Sequence, residues 1–502
     1  MLSVLIWFPC FAAVIIALLP KSLDLKRVRL SALWLSGITL LWTIGLVIQF
    51  DLSNPLLQYQ ESLPWLSDLG LDYQLGIDGL SLPLLILNSL LTWLAIYSSR
   101  IDTKRPNLFY ALILLISGGV AGAFLAQNLL LFFLFYEVEL IPFYLLISIW
   151  GGAQQGSAAT KFLLYTATSG GLILAGFLGL IWFSEASSFA YDLLLGQTLP
   201  LNIQYVLLVL LLLGFGIKTP LVPLHTWLPD TYVAASTPVA MLLGGVLAKL
   251  GTYGIFRFCM PLFPEAWSNL SPLLATWAVV SVLYGALAAI AQKDIKRMVA
   301  YSSVGHMGYI LLAAAAHTQL SIVGAISQMF AHGLILALLF HLVGLIEAKV
   351  GTRDLDVLNG LMNPVRGLPL VSALLVLGGM ASAGIPGLVG FIAEFLVFQG
   401  SYAAFPVQTL LSVVGTGLTA VYFVILLNRT CFGRLDNSLA YFPKVHWDER
   451  VPALILTLLI FILGIHPTWL VRWSEPTTTY LVAEAHLSTP APQSIMANAE
   501  FH

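Results

Sequence analysis

Ionisable side chains inside long apolar stretches are the residues of this chain best suited to chemistry. Carboxyl, ammonium and imidazole groups bind and release protons, and a charge at bilayer depth is costly unless it is paired or hydrated. Burial and pairing both change the proton affinity of such groups, so a row of them can pass protons along. The row predicted here comprises Glu137, Lys218, Lys249, His306, His332 and Glu394.

Other polar residues compete for a place in this row. Lys218 is expected to pair with Glu137, although such a pair can also lock two helices together without carrying protons. Glu139 lies two positions from Glu137, about 200° around a helix, so the two carboxylates cannot face one path. We therefore assign Glu139 and His225 accessory roles, and we interpret His341 as a hydrogen-bonding residue between helices.

The composition identifies the solvent that surrounds these residues. The chain has 502 residues, of which 59% are hydrophobic and 9% are charged, whereas soluble domains have roughly 25% charged residues. Apolar runs of nearly 20 residues recur from Leu2 to Trp473, and many are apolar on every face. These features predict an all-α polytopic membrane protein and argue against a strand-built barrel.

The same composition excludes several classes of function. The net charge of -2 and the lack of long basic runs argue against a nucleic-acid partner. Cys10, Cys259 and Cys431 are scattered, which argues against disulfides, iron-sulfur clusters and zinc sites. Since phosphate-binding and dinucleotide-binding glycine motifs are also lacking, we expect no cofactor and no metal in this chain. The first apolar stretch is read as a retained helix and not as a signal peptide.

Charge clusters and joints rich in Pro, Gly and Asn divide the chain into about fourteen transmembrane helices. Their predicted ranges are 2–20, 29–50, 78–98, 108–126, 128–149, 157–183, 203–223, 232–258, 271–292, 298–316, 319–347, 367–398, 406–432 and 451–472.

The basic residues follow this division. Most of the 22 lysines and arginines fall in loops after odd-numbered helices, whereas Arg257 and Arg472 lie on the other face. By the positive-inside rule, the loops after odd-numbered helices lie on the cytoplasmic-type side and both chain termini lie opposite.

An internal repeat is suggested by two interruptions at similar offsets. The seventh helix is broken at Lys218–Pro223 and the twelfth at Gly384–Gly387. Because five helices is an odd number, two consecutive five-helix units must insert with opposite orientations, which is typical of transporter folds. The expected organisation is an N-terminal region (1–107), a first inverted repeat (108–258), a second inverted repeat (271–432), and a last helix with a polar tail (433–502).

Four sequence motifs resemble a known family. The run from Gly216 to Asp230, GIKTPLVPLHTWLPD, is similar to the signature of the antiporter-like proton-pumping subunits of respiratory complex I. The segments at 135–142, 301–308 and 328–333 resemble the same family. The resemblance covers nearly the whole chain, and Glu394 in the twelfth helix favours the chain 4, or M-type, subfamily.

The resemblance implies a mechanism and site roles. In it the glutamate of the fifth helix pairs with the lysine of the seventh, a lysine and two histidines relay protons, and an acid in the twelfth helix releases them. These roles correspond to Glu137 with Lys218, then Lys249, His306 and His332, then Glu394. The chain would have no redox chemistry of its own and would assemble with other membrane subunits.

The sequence Glu137-Val138-Glu139 followed by Leu-Ile-Pro resembles the cyanobacterial and chloroplast NAD(P)H-quinone oxidoreductases. That version implies ferredoxin as the electron donor, plastoquinone as the acceptor, and the thylakoid membrane as the location. Tyr136 stands where the respiratory form is expected to have Trp, which favours a complex devoted to carbon dioxide uptake.

Two alternatives remain open. A D-type subunit of a Mrp cation/proton antiporter shares the motifs of helices five to twelve, and sodium-dependent transport would distinguish it. The second alternative is a structural membrane scaffold in which the polar row is vestigial. In that case, neutralising Lys218 or Lys249 would leave pumping intact.

Overall fold

The computed structural model describes residues 1–20, 22–100, 103–435, 442–479 and 482. Helices dominate these residues, and one two-stranded hairpin accompanies them. The predicted fold class, a helical polytopic membrane protein, is confirmed. The polar tail expected after Ser474 falls mostly outside the described residues, as does Lys21 of the predicted basic loops.

The N-terminal part contains four long helices and the hairpin. In chain order these are α1 (Leu2–Leu18), α2 (Leu25–Gln49), β1 (Gln58–Leu66), β2 (Leu71–Ile77), α3 (Ser81–Ser98) and α4 (Pro106–Leu125).

The middle of the chain alternates long helices with short pieces. They are α5 (Leu129–Val138), α6 (Leu140–Trp150), α7 (Gln155–Ser184), α8 (Tyr191–Leu194), α9 (Leu201–Lys218), α10 (Trp227–Ala234), α11 (Thr237–Leu242), α12 (Ala248–Gly254) and α13 (Met260–Leu262). Two π-helical turns, Leu243–Leu247 and Ile255–Cys259, join α11, α12 and α13 into one apolar rod, Thr237–Leu262.

The C-terminal part is built mainly of long helices, followed by a short helix. They are α14 (Pro264–Ile290), α15 (Ile295–Ala316), α16 (Gln319–Val350), α17 (Pro369–Ser382), α18 (Val389–Tyr402), α19 (Pro406–Cys431), α20 (Trp447–Ile465) and α21 (Thr468–Arg472).

Each of the fourteen predicted stretches contains a helix. Within the described ranges, eleven helices are long and apolar enough to cross a membrane. The remaining predicted spans correspond to α1, to the pair α17 and α18, and to α20, which begins with the charged run Asp448–Arg450. The count of fourteen spans and the two inverted repeats stay predictions.

The hairpin between α2 and α3 was not predicted. β1 and β2 pair antiparallel, with Glu61 opposite Leu75 and Leu63 opposite Tyr73. Gly70 closes the hairpin with a φ of 68°, a left-handed conformation that glycine adopts without strain. Glu61 accepts hydrogen bonds from the amino terminus and from Leu2 N (2.7 Å), so the hairpin is fastened to the start of α1.

Both predicted helix breaks are confirmed. α9 ends at Lys218 and α10 begins only at Trp227, while α17 ends at Ser382 and α18 begins at Val389. A broken helix leaves carbonyl groups without intrahelical partners, and buried side chains must satisfy them. Trp227 Nε1 donates to Ile217 O at 2.9 Å beside the first break.

The most buried helices lie at the centre of the bundle. Nearly all of α16 is buried, as is nearly all of the Thr237–Leu262 rod. α2, α7 and α19 instead leave long apolar faces exposed, which a bilayer or neighbouring subunits can cover. The central helices carry Lys249, His332 and His306, so these polar groups lie well inside the protein.

Candidate functional site

The first charged cluster forms where α9 ends. Lys218 Nζ makes an ion pair with Glu139 Oε1, and both side chains are almost completely buried. The ammonium also lies 3.9 Å from the centroid of the Tyr136 ring. Tyr136 is held in turn by a 2.9 Å hydrogen bond between its hydroxyl and that of Ser169, which donates to Gly214 O at 2.7 Å.

The predicted pairing of Lys218 with Glu137 is wrong, because the partner is Glu139. α5 ends at Val138, and Glu139 stands at the junction with α6. Phe132, Tyr136 and Glu139 share the buried face of this segment. The carboxylates of Glu137 and Glu139 point in different directions, as expected from helical geometry. However, it is Glu139, to which the sequence analysis gave only an accessory role, that faces Lys218.

Glu137 faces α7 instead. Its carboxylate rests against the Cα of Gly170, where any Cβ would overlap Oε1. Oε1 is buried and has no hydrogen-bond partner among the described residues. Gly170 is therefore a close-packing position, whereas nothing lies within 4 Å of a Cβ at its neighbour Gly171.

The second cluster centres on Lys249 in the middle of the buried rod. Lys249 Nζ donates to Gly244 O at 2.6 Å and lies 2.8 Å from His332 Nδ1 on α16. The acceptor Gly244 lies in a π-helical turn, and π turns often occur at functional positions. Gly244 and its neighbour Gly245 pack against side chains of other helices.

His306 on α15 extends this cluster toward the second break. The rings of His306 and His332 have centroids 5.4 Å apart. His306 Nδ1 lies 2.7 Å from Ser302 O, and Nε2 lies 3.1 Å from Ser382 O at the end of α17. A carbonyl oxygen only accepts hydrogen bonds, so these contacts fit a ring that carries protons on both nitrogens.

Glu394 on α18 ends the row. Its Oε1 lies 3.6 Å from His306 Nε2, and its Oε2 accepts a 3.1 Å hydrogen bond from Thr416 Oγ1 on α19. Gly384, in the break between α17 and α18, has a φ of 69°, and a Cβ there would lie 2.8 Å from Oε2. The break thus forms part of the pocket that holds the carboxylate.

The two clusters meet where α9 packs on the rod. A Cβ on Gly251, two residues beyond Lys249, would overlap Thr219, the residue after Lys218. The structure therefore brings together Lys249, His332, His306 and Glu394 as one chain of neighbours. Lys218, at the end of α9, and Glu139, at the junction of α5 and α6, form a separate ion pair beside this chain.

The remaining histidines differ in their surroundings. His225 is buried beside Tyr284, with ring centroids 4.9 Å apart, and its Nδ1 has no partner within the described part of the chain. His341 Nε2 donates to Glu449 O of α20 at 2.9 Å. The prediction that His341 bonds two helices together is confirmed.

Sequence reasoning missed one buried ion pair. Arg257 Nη2 contacts Asp78 Oδ2 at 2.6 Å, with both side chains nearly inaccessible, and Arg257 Nε contacts the Tyr253 hydroxyl at 3.1 Å. The pair joins the rod to the loop before α3. Both residues were assigned to the ends of predicted helices, and nothing in their spacing indicated that they meet.

Metal binding finds no support in the described ranges. In that part of the chain, His, Cys, Asp and Glu side chains form no group of three that could hold a metal ion. The three cysteines are free and do not lie together.

Comparison with known proteins identifies the family. Residues 126–419 match the family described as NADH:quinone oxidoreductase/Mrp antiporter, transmembrane. A Synechococcus protein named NAD(P)H-quinone oxidoreductase chain 4 is 40% identical over 494 residues, 96% of this chain and 92% of that protein. Its Prochlorococcus marinus counterpart is 40% identical over 92% of this chain and 88% of its own length.

Solved structures agree with this assignment. A chain of respiratory complex I from Thermus thermophilus superposes with a TM-score of 0.87 at 28% identity, covering 98% of this chain and all of that one. A chain of the Mrp complex from Dietzia gives a TM-score of 0.86 at 21% identity over 97% and 98% of the two chains, a likeness of fold. The chain therefore belongs to the NADH:quinone oxidoreductase/Mrp antiporter family of membrane subunits, a family that includes the cyanobacterial NAD(P)H-quinone oxidoreductase chain 4 proteins.

Proposed function

We propose that this chain is a proton-translocating membrane subunit of a photosynthetic-type NAD(P)H/ferredoxin-plastoquinone oxidoreductase. The observation that carries the proposal is the unbroken sequence of neighbours Lys249, His332, His306 and Glu394 inside the bundle. The type of complex is inferred from relatives that are named chain 4 of such an oxidoreductase. Electron transfer belongs to other subunits, and this chain needs no cofactor.

The geometry suggests how a proton passes along the row. Lys249 can hand a proton to His332 through the 2.8 Å contact between Nζ and Nδ1. His306 sits between His332 and Glu394, with both ring nitrogens directed at carbonyls. Transfer from its Nε2 to Glu394 Oε1 requires the 3.6 Å gap to shorten by a few tenths of an ångström.

Lys218 and Glu139 would act as the electrostatic control of this row. A paired Lys218 presents little net charge to its surroundings, whereas separation of the pair exposes a positive charge beside the rod that carries Lys249. That charge would repel a proton on Lys249 and favour its transfer to His332. Under this mechanism the acid that matters to Lys218 is Glu139, and Glu137 would tune the site from the α7 side.

A more detailed question is whether the complex is a respiratory one or one devoted to carbon dioxide uptake. Assignment to a carbon dioxide uptake complex rests on Tyr136 alone and stays a prediction, whereas the relatives from cyanobacteria support a location in the thylakoid membrane. Copurification with a tagged chain, followed by identification of the partner subunits, would test it.

The alternative of a Mrp cation/proton antiporter is less well supported. The Mrp chain resembles this one at 21% identity, which speaks for the fold alone, whereas the chain 4 relatives are 40% identical. Proton uptake that depends on sodium and not on quinone reduction would favour the antiporter.

The proposed function is tested by neutralising the row inside the assembled complex. Lys249→Met and Glu394→Gln should lower proton uptake per quinol formed in reconstituted vesicles while the complex still assembles. Lys293→Met removes an exposed lysine, paired only at the surface with Asp356, and should pump normally. Normal pumping by both row variants would refute the proposal and favour a structural scaffold.

A further inference from the structure

Two hydroxyl groups continue the polar row beyond Glu394. Thr416 Oγ1 donates to Glu394 Oε2 at 3.1 Å, and the Tyr309 hydroxyl lies 3.0 Å from the same Thr416 oxygen. An ionised carboxylate can only accept, so Thr416 must donate to Glu394, and Tyr309 is then free to donate to Thr416. The hydrogen bonds run in one direction, toward the carboxylate.

The three side chains come from three different helices. Tyr309 is on α15, Glu394 on α18 and Thr416 on α19. Tyr309 and Glu394 are almost fully buried, and the Tyr309 ring packs edge-on against Phe398 with centroids 5.4 Å apart. Thr416 is half-buried, at the border between the packed face of α19 and the exposed face that includes Val413.

This arrangement divides the two oxygens of Glu394 between two partners. Oε2 is taken by Thr416, so Oε1 is left to face His306. Gly384 lies close behind Oε2, which leaves little room for the carboxylate to turn on that side. Without the Thr416 donor, no described hydrogen bond would fix the orientation of Oε1.

We propose that Thr416 is a positioning residue for Glu394, and that Tyr309 fixes the Thr416 hydroxyl. Together they aim Oε1 at His306, from which it can accept a proton. The inference rests on the proposed function, because it assigns Thr416 and Tyr309 to the step between His306 and Glu394. Neither residue was distinguished by the sequence.

The test replaces the Thr416 hydroxyl without changing the size of the side chain. Thr416→Val should slow proton uptake about tenfold, the effect expected when one hydrogen bond to a charged group is lost from a transfer step. Thr416→Ser keeps the hydroxyl and should restore most of the pumping. Tyr309→Phe keeps the ring packing and the Thr416 donor, so a smaller loss is expected.

Thr409 supplies a matched control on the same helix. It is buried, and its Oγ1 has no hydrogen-bond partner in the described structure, so Thr409→Val should leave pumping unchanged. Equal losses in Thr409→Val and Thr416→Val would point to packing and overturn the inference. Normal pumping by Thr416→Val, or failure of Thr416→Ser to restore it, would overturn it as well.

Glu394→Gln separates the two levels of the proposal. If Glu394→Gln abolishes pumping but Thr416→Val does not, the positioning role fails and the proposed function stands. If Glu394→Gln pumps normally, the positioning role fails, and if Lys249→Met pumps normally as well, the proposed function fails with it. Should valine lower the yield of the complex, Thr416→Ala provides a second variant that lacks the hydroxyl.

Discussion

The ammonium of Lys218 lies 3.9 Å from the centre of the Tyr136 ring. The same ammonium is paired with Glu139, so a carboxylate and an aromatic face stabilise one buried cation together. The negative face of an aromatic ring attracts a cation by about 0.5 to 2 kcal/mol, with the larger values at desolvated sites. Tyr136 thus provides a contact that remains available if Lys218 leaves Glu139.

Substitutions at Tyr136 should separate the ring from its hydroxyl. Tyr136→Phe keeps the ring over Lys218 and loses only the hydrogen bond with Ser169, which is worth about 1 kcal/mol. Its pumping should stay close to that of the parent. Tyr136→Leu removes the aromatic face and should impair pumping and lower the thermal stability of the complex. Equal behaviour of the two variants would show that the ring face is unimportant.

Glu139 and Glu137 should respond differently to neutralisation. Glu139→Gln leaves the Lys218 charge buried without its partner, which costs about 3 to 5 kcal/mol where pairing is tight. A sharp fall in complex yield is therefore expected. Glu137→Gln should assemble much better, since Glu137 makes no ion pair in the described structure.

The double variant Glu139→Gln with Lys218→Met distinguishes structure from transport. Two neutral groups satisfy the interior without each other, so assembly should recover. If the pair controls proton transfer, pumping should stay low despite normal yield. A double variant that assembles and pumps normally would reduce the pair to a structural role.

Adjacent glycines on α7 offer a further comparison. Gly170→Ala places a methyl group against the Glu137 carboxylate and should destabilise the complex by about 1 to 3 kcal/mol through overpacking. Gly171→Ala adds the same methyl group where nothing lies within 4 Å, and should be nearly neutral. Thermal unfolding of the two purified complexes measures the difference, and similar melting temperatures would contradict the packing at Gly170.

Topology can be checked with single cysteines at exposed positions. Leu69, at the tip of the hairpin, and Lys293, before α15, lie in loops that the charge pattern assigns to opposite faces. A membrane-impermeant maleimide should label Leu69→Cys and Lys293→Cys from opposite sides of vesicles of known orientation. Labelling of both from one side would contradict the predicted sidedness.

Much of the fold could be predicted because membrane helices are recognisable in a sequence as long apolar stretches. Every predicted stretch contains a helix, and both breaks occur where Pro and Gly interrupt the pattern. The hairpin could not be foreseen, since its strands alternate only weakly and sit between much stronger helical signals. The π turns beside Lys249 could not be predicted from residue types, because one additional residue in a turn changes the backbone geometry and not the composition.

The site was harder to predict, for a physical reason. In helices that are apolar on every side, sequence does not show which face is buried, so Glu137 could not be ranked correctly against Glu139. Hydroxyl residues in such helices usually bond their own backbone, as Thr419 does with Gly415 O at 3.1 Å. Thr416 therefore resembles any other membrane threonine until Glu394 and Tyr309 are placed beside it.

The two π turns flanking α12 have a mechanical consequence. Each accommodates one residue more than an α-helical turn, which corresponds to about 100° of rotation around the axis. When such a bulge migrates along a helix, the residues it passes rotate while both ends of the helix keep their places. Lys249 lies between two of them, so migration of either turn would redirect its ammonium through the exchange of a few backbone hydrogen bonds, with no sliding of the rod against its packed surroundings.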